Sequence, residues 1–276
     1  MMNSSVKRYK TVLTIAGSDC SGGAGIQADI KAISANGAYA MSAITAVTSQ
    51  NTTGVRAIHL IPAETVAAQI NAIAEDIPVD AVKLGMLPTA EIVSAVAELL
   101  RRYAIRNIVL DPVMVATSGD RLIEQEAVEA IKTEIFPIAD LITPNIPETE
   151  FISGRAAGSE TDFPAAAEAM LDLGAEGVLI KAGHLPGERL TDHLYHRKGD
   201  RIEQHAYTYE RIDTPNTHGT GCTLSSSIAA FLALGHPLSE AVGLAEDYLH
   251  KAILTGAEYK TGQGHGPVHH FFRVWE

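Results

Sequence analysis

Short apolar runs alternate along the chain with longer amphipathic stretches. Val12-Leu13-Thr14-Ile15-Ala16 has strand length and stops at Gly17. From Gly25 to Asn36, Ile26, Ile30 and Ile33 recur at helical spacing, and Gly37 follows as a C-cap. Residues 42–48 are β-branched and apolar and predict a second strand. Pro62 to Asp76 predicts a helix whose buried stripe is Val66, Ile70, Ile73 and Ile77. The alternation continues with strands at 81–84, 107–110, 141–143 and 177–180. Between them stand helices at 91–103, 124–136 and 163–173. The short apolar strands suit a parallel sheet covered by helices on both faces.

The pattern changes after residue 190. His193–His196 and His205–Tyr209 predict two short strands around the polar turn Lys198-Gly199-Asp200, a small β-hairpin flap or paired edge strands. A glycine-rich turn at 219–221 then opens a helix to about 234, and another helix covers roughly 239–254. No internal repeat and no long linker divides the chain. The expectation is one α/β domain over 11–276 behind a flexible N-terminus at 1–10, with no large lid.

Charge narrows the function classes. Lys plus Arg is 21 and Asp plus Glu is 33, a formal net charge of −12. That argues against a nucleic-acid-coating protein and against a polybasic membrane anchor, but leaves room for a local basic pocket. No apolar run reaches the length of a membrane span, and the N-terminus lacks the apolar core of a signal peptide. Two cysteines, Cys20 and Cys222, are too few for a disulfide framework. A cytoplasmic protein is expected, with neither nucleic acid nor membrane as partner.

In an open parallel sheet, ligands bind beyond the carboxyl ends of the strands. The residues there are Gly17-Ser18-Asp19, Gln50-Asn51, Gly85-Met86, Asp111-Pro112-Val113, Asn145 with Glu148, and Lys181. Acids, amides, small residues and two apolar side chains suit a small-molecule pocket. Asn216-Thr217-His218-Gly219-Thr220-Gly221-Cys222-Thr223 carries the strongest local signal. Its glycines allow a sharp turn, and amides at a helix N-terminus hold phosphate or a developing anion. Cys222 in the first helical turn is expected to lean toward thiolate and to take or orient a proton; packing the helix start is the alternative. Asn145 and Glu148, three apart, could hold Mg²⁺ through waters or form an ordinary helix cap. Gly22-Gly23-Ala24-Gly25 matches neither a dinucleotide fingerprint nor a P-loop, and serves either ligand approach or a tight turn. His265, His269 and His270 lack any zinc-site spacing.

Taken together these segments resemble the hydroxymethylpyrimidine/phosphomethylpyrimidine kinases of thiamine biosynthesis, in the ribokinase-like superfamily. The resemblance rests on 16–19 with 21–29, on Thr48-Ser49-Gln50-Asn51-Thr52, and on Lys83-Leu84-Gly85-Met86. It also rests on 110–114, on Thr143-Pro144-Asn145 with Glu148, on 216–223 and on the tail 264–271. It spans about 11 to 273.

The resemblance implies an ATP- and Mg²⁺-dependent homodimer that phosphorylates 4-amino-5-hydroxymethyl-2-methylpyrimidine and then its monophosphate. It implies that Asp29 and Gln50 hydrogen-bond the aminopyrimidine, with Gly17 near the ring and Met86 and Val113 packed against it. Gly219, Thr220, Gly221 and Cys222 would form the anion hole, Cys222 standing where related sugar kinases place an aspartate base. Asp111, Asn145 and Glu148 would support Mg²⁺ and phosphate, mostly through water, and Lys181 would lie near the nucleotide phosphates. This chain has Ala182-Gly183 where many relatives have a double glycine, and Cys20 where proline is common. The rival readings are a pyridoxal or pyridoxine kinase and a non-catalytic small-molecule binder.

Overall fold

The computed structural model describes residues 7–114 and 123–275. Nine strands form one sheet: β1 (Thr11–Asp19), β2 (Tyr39–Asn51), β3 (Gly54–Leu60), β4 (Ala81–Leu84), β5 (Ile108–Leu110), β6 (Leu141–Ile142), β7 (Gly177–Ile180), β8 (Arg189–Lys198) and β9 (Arg201–Glu210). Their order is β3-β2-β1-β4-β5-β6-β7-β8-β9. The interior pairings from β2 through β7 are parallel, and β3, β8 and β9 are antiparallel additions at the two edges. The chain leaves β1 to one side toward β2 and later returns to its other side as β4. This reversal of winding creates a crevice at the carboxyl end of β1.

Among the described residues eight α-helices cover the sheet: α1 (Gly25–Ala35), α2 (Ala63–Ala74), α3 (Ala90–Arg102), α4 (Gln125–Ala130), α5 (Ile146–Ser153), α6 (Phe163–Leu171), α7 (Thr220–Leu234) and α8 (Leu238–Gly256). The period of two along each strand sorts the core into two layers. Leu13, Ile15, Val82, Leu84, Ile108 and Leu110 pack with α2, α3, α4 and α6. Val12, Ala81, Val109 and Leu179 face the opposite layer, where α1, α7 and α8 lie. Thr14 and Lys83 share the parity of Val12 and Ala81, which decides their role below.

Several expectations shift. The β8–β9 hairpin has ten residues in each strand and extends the main sheet through β7. β3 is largely exposed and carries no apolar alternation, which is why its sequence does not announce a strand. Residues 146–153, after the Asn145 cap, form a helix that the apolar pattern does not announce. Ile30 is 37% exposed, while Ala28, Asp29, Ala32 and Ile33 face inward. The expected stripe on α1 is therefore rotated. At the N-terminus, residues 1–6 lie outside the described residues. Arg8 is not loose: its guanidinium donates to both carboxylate oxygens of Asp80 at 2.9 and 2.7 Å. No helix among the described residues is long and apolar enough to cross a membrane.

Candidate active site

A cavity of about 980 Å³ opens at the carboxyl ends of the parallel strands. Gly17, Gln50, Met86, Asp111, Val113, Asn145, Glu148, Lys181 and residues 219–222 all line it. These sequence-predicted residues are brought together from five strands and two helix starts. Gly17 lies under Met86, whose Sδ would stand 3.1 Å from an added Cβ, so the slot is flat because residue 17 has no side chain. Val113 is half-buried beside it.

The glycine-rich turn reaches the cavity floor at the start of α7. Gly219 has φ +82°, and a Cβ there would sit 1.8 Å from the Gly23 carbonyl oxygen. Only glycine fits both the left-handed backbone and the close approach. The turn thereby presses against the first loop, and the amides at the start of α7, including those of Gly221 and Cys222, face the cavity without intrahelical acceptors. Such orphan donors are where an anion binds.

Asp19 ties that arrangement together. Its carboxylate accepts from the amides of Ser21, Gly23 and Ala24 at 2.8, 3.1 and 2.8 Å, and from the Ser21 hydroxyl at 2.7 Å. His218 Nε2 lies 2.8 Å from it. Burial works against the charge, but hydrogen bonds from His218, Ser21 and Gln50 hold Asp19 well below the usual carboxylate range. The sequence points to the segments that hold Asp19 and His218 but not to their pairing, because 199 positions separate them and only the fold makes them one unit.

Asp29 is a correction. It does not line the cavity; its side chain is wholly buried between α1 and the sheet. Both oxygens lie 3.0 Å from Lys83 Nζ, and Thr14 and Ser226 hydroxyls donate at 2.6 and 2.7 Å. A carboxylate so occupied has no acceptor left for a substrate amine. Gln50, at the end of β2, keeps its place on the cavity wall. The missed partner is Lys83, and its signal is legible afterwards. A lysine inside the buried strand Ala-Val-Lys-Leu demands a buried counter-charge. Burial works against the ammonium as well, yet Asp29 holds Lys83 above its ordinary value.

Cys222 requires a second correction. The expectation of a thiolate at a helix start does not hold. Burial pushes the thiol up to about 11, and Asp29 and Asp111 push the same way. Lys83 and the Gly25 amide oppose them without overcoming the desolvation. Near neutral pH the sulfur keeps its proton. Cys20 is exposed, its sulfur 3.1 Å from the Gln50 carbonyl oxygen, and both cysteines are free.

On the far side of the cavity, Lys181 Nζ lies 3.0 Å from Asp111 Oδ1. Asp111 also accepts from Thr143 and Ser225 hydroxyls at 3.3 and 3.4 Å. Asn145 and Glu148 form a reciprocal capping box at the start of α5: Asn145 Oδ1 accepts from the Glu148 amide, and Glu148 Oε2 from the Asn145 amide, both at 2.9 Å. Of the two sequence alternatives, the cap is therefore realised. Burial pushes Glu148 up to about 7; Lys181 opposes this and Asp111 adds to it. One lysine faces two carboxylates here. Asp192 and Glu246, deeper on the same side, form another buried acid pair, with the Ala182 amide donating to Asp192 at 2.7 Å. The tail histidines do structural work: His270 Nε2 lies 3.0 Å from the Thr223 hydroxyl.

The phosphomethylpyrimidine kinase family model matches residues 19–269. The chain belongs to the phosphomethylpyrimidine kinase family. It is 51% identical over 265 residues to a hydroxymethylpyrimidine/phosphomethylpyrimidine kinase of Rhizobium meliloti (strain 1021), covering 96% of this chain and 98% of that protein. A crystal structure of a phosphomethylpyrimidine kinase from Clostridium difficile 630 superposes with TM-score 0.76 at 44% identity, over 88% of this chain and 99% of that one. A Bacillus subtilis pyridoxal kinase, solved as an ADP complex, superposes with TM-score 0.87 at 36% identity, over 97% of this chain and 100% of that one. As in its family, the chain has a ribokinase-like α/β fold, and it is a phosphotransferase.

Proposed function

We propose that the chain transfers a phosphoryl group from ATP to the hydroxymethyl group of 4-amino-5-hydroxymethyl-2-methylpyrimidine, and then phosphorylates the resulting monophosphate, for thiamine biosynthesis. The observation that carries this reading is one cavity in which a flat apolar slot meets a helix start flanked by two lysines. Gly17, Met86 and Val113 bound the slot, and the Gly219–Cys222 amides lie at its inner end. The pyrimidine ring stacks in the slot, with Gln50 hydrogen-bonding its polar edge. Its hydroxymethyl group points to Cys222 and the amides. Phosphoryl transfer needs alignment and charge stabilisation more than covalent chemistry, and this arrangement offers both.

Cys222 orients the acceptor hydroxyl, and its thiolate form takes that hydroxyl's proton as the new O–P bond forms and the bond from the transferred phosphorus to the ADP oxygen breaks. A thiol pKa of about 11 makes that thiolate a strong base but a minor species near neutral pH, so the thiol has to release its own proton to solvent before transfer. The α7 amides hold the transferred group, and Lys181 neutralises the leaving nucleotide phosphates. The donor set at Asp111, Asn145 and Glu148 fits Mg²⁺. Two carboxylates crowd one lysine on the cavity wall, and burial together with Asp111 pushes Glu148 up to about 7, so added positive charge is favoured there. Asp111 and Glu148 would hold the ion, largely through water because Lys181 already occupies one Asp111 oxygen, and Asn145 would fix Glu148 from behind. When bound, the ion supplies charge neutralisation on the nucleotide phosphates. The working unit is a homodimer, which size-exclusion chromatography with light scattering checks directly.

A second reading draws on the likeness to pyridoxal kinases and on the loss of Asp29 as an amine reader. With Gln50 alone facing the ring edge, the slot has little means to reject pyridoxal, so phosphorylation of that ring is expected as a slower side reaction. The test is ADP formation with MgATP and three acceptors: the hydroxymethylpyrimidine, its monophosphate and pyridoxal. Turnover of both pyrimidines supports the proposal; turnover of pyridoxal alone overturns it.

A further inference from the structure

The hairpin that extends the sheet carries a cluster the kinase reaction does not use. His196 on β8 is registered opposite Glu203 on β9, and His205 lies two positions farther along β9, opposite Leu194. Residues two apart on a strand share a face, so the three side chains converge. His196 Nε2 lies 3.4 Å from His205 Nε2 and 3.5 Å from Glu203 Oε2, and His205 Nε2 lies 4.0 Å from that same oxygen. The two imidazoles stack with centroids 5.4 Å apart and planes 24° from parallel. Among the described residues this is the one group of three His, Cys, Asp or Glu side chains whose ligand atoms gather so closely.

We propose that His196, Glu203 and His205 form a binding site for a transition-metal dication of the zinc class. The separations are those of a coordination polyhedron. Zn–N and Zn–O bonds near 2.0–2.1 Å at tetrahedral angles put ligand atoms about 3.3 Å apart. Two of the three edges already match, and the third closes with a rotation of the Glu203 carboxylate. Two imidazoles and a carboxylate select zinc, nickel or copper over magnesium or calcium, which prefer all-oxygen shells. Outer contacts are in place to orient the ligands. Lys198 Nζ straddles the Glu203 carboxylate, 2.9 Å from Oε1 and 3.2 Å from Oε2, and so fixes its direction while an ion would take over its share of Oε2; the Arg197 backbone hydrogen-bonds the His196 ring. All three residues are partly exposed, so an ion can enter and a water can take the fourth position.

The site is separate from the kinase centre. Asp192, the nearer of the two β8 residues that line the active-site cavity, is four residues from His196, about 13 Å along a strand. A bound ion would bridge β8 to β9, the outermost strand of the sheet.

The test is calorimetric titration of the full chain, stripped of metal by chelator and dialysed, with ZnCl₂. One zinc per chain is expected, with affinity falling at least tenfold in Glu203→Gln and more than a hundredfold in the double variant His196→Ala/His205→Ala. Cobalt(II) provides an independent readout on the unmodified chain: an intense visible absorption band marks four-coordinate nitrogen and oxygen ligation. Hydroxymethylpyrimidine kinase turnover in the variants should equal that of the parent, which shows that the fold is kept. Zinc affinity unchanged in the double variant would place the ion elsewhere and overturn the proposal. So would the absence of binding below millimolar zinc, or the weak spectrum of six-coordinate cobalt.

Discussion

Two acid–lysine pairs stand at the ends of parallel strands on either side of α7, and they serve opposite ends. Asp29 and Lys83 are wholly buried, and every acceptor position on Asp29 is taken. Asp111 and Lys181 make the same 3.0 Å contact, but on the cavity wall and with Glu148 as a second carboxylate nearby. The first cluster is balanced and closed, so it can only hold α1 and α7 to the sheet. The second is unbalanced and open, so a ligand's charge completes it. Cys222 lies within reach of both fields, which together with burial set its proton affinity. The same residue types thus give a closed brace or an open cluster on the wall of the proposed active site, according to stoichiometry and access.

The largest expected effect breaks the brace. Asp29→Ala leaves a buried ammonium uncompensated and should lower stability by about 3–5 kcal/mol in denaturant titration. If it folded like the parent and raised only the pyrimidine KM, Asp29 would be a substrate reader after all and the contrast would fail. On the open side, Asp111→Asn should keep the fold, because Glu148 still faces Lys181, while kcat falls about 10²–10³-fold. A variant losing stability but not rate would reverse the two roles.

Cys222→Ala sharpens the comparison at its midpoint. Turnover should fall about 10²-fold with the pyrimidine KM little changed; undiminished turnover would leave transfer to the amides alone. A pH profile of unfolding probes the closed side. Burial, with help from Lys31 and His269, pushes His270 down to about 3 from an ordinary 6.5. The folded chain therefore holds this imidazole neutral while the unfolded chain protonates it below 6.5. The stabilisation is complete above pH 6.5 and is lost as pH falls toward 3, by up to about 1.4 kcal/mol per pH unit. His270→Gln should flatten that slope. The smallest effect is expected for Gln50→Ala, about 1 kcal/mol in pyrimidine binding, read as a rise in KM and a narrowed preference over pyridoxal.

The open region was far more legible in the sequence than the closed one. Strands such as Leu141–Ile142 and Gly177–Ile180 are apolar runs ended by polar residues, and those polar residues are the cavity lining. The substrate role of Asp29 rests on the resemblance alone, and the isoleucine spacing of α1 does not reveal its burial: Ile30 faces solvent while the carboxylate faces inward. No local pattern says that Ser226, nearly two hundred residues later, will donate to it. Cys222 misled for a related reason. A helix start favours a thiolate only where solvent or a cation supports the charge, and desolvation depends on neighbours that sequence spacing does not reveal.

The span of the contacts that close the brace has a consequence for how the chain is made. Asp29 meets Ser226 across 197 positions, Asp19 meets His218 across 199, and Asn36 meets Ser227 across 191. During synthesis the N-terminal strands emerge long before α7 exists. Until then Asp29 and Lys83 form a pair with one side uncovered, and the Gly23 carbonyl has no turn pressed against it. Such non-local closure is slow and favours all-or-none completion. A growing chain therefore has no anion hole to expose to cellular nucleotides. Catalytic competence arrives with the same late docking of α7 that seals the core.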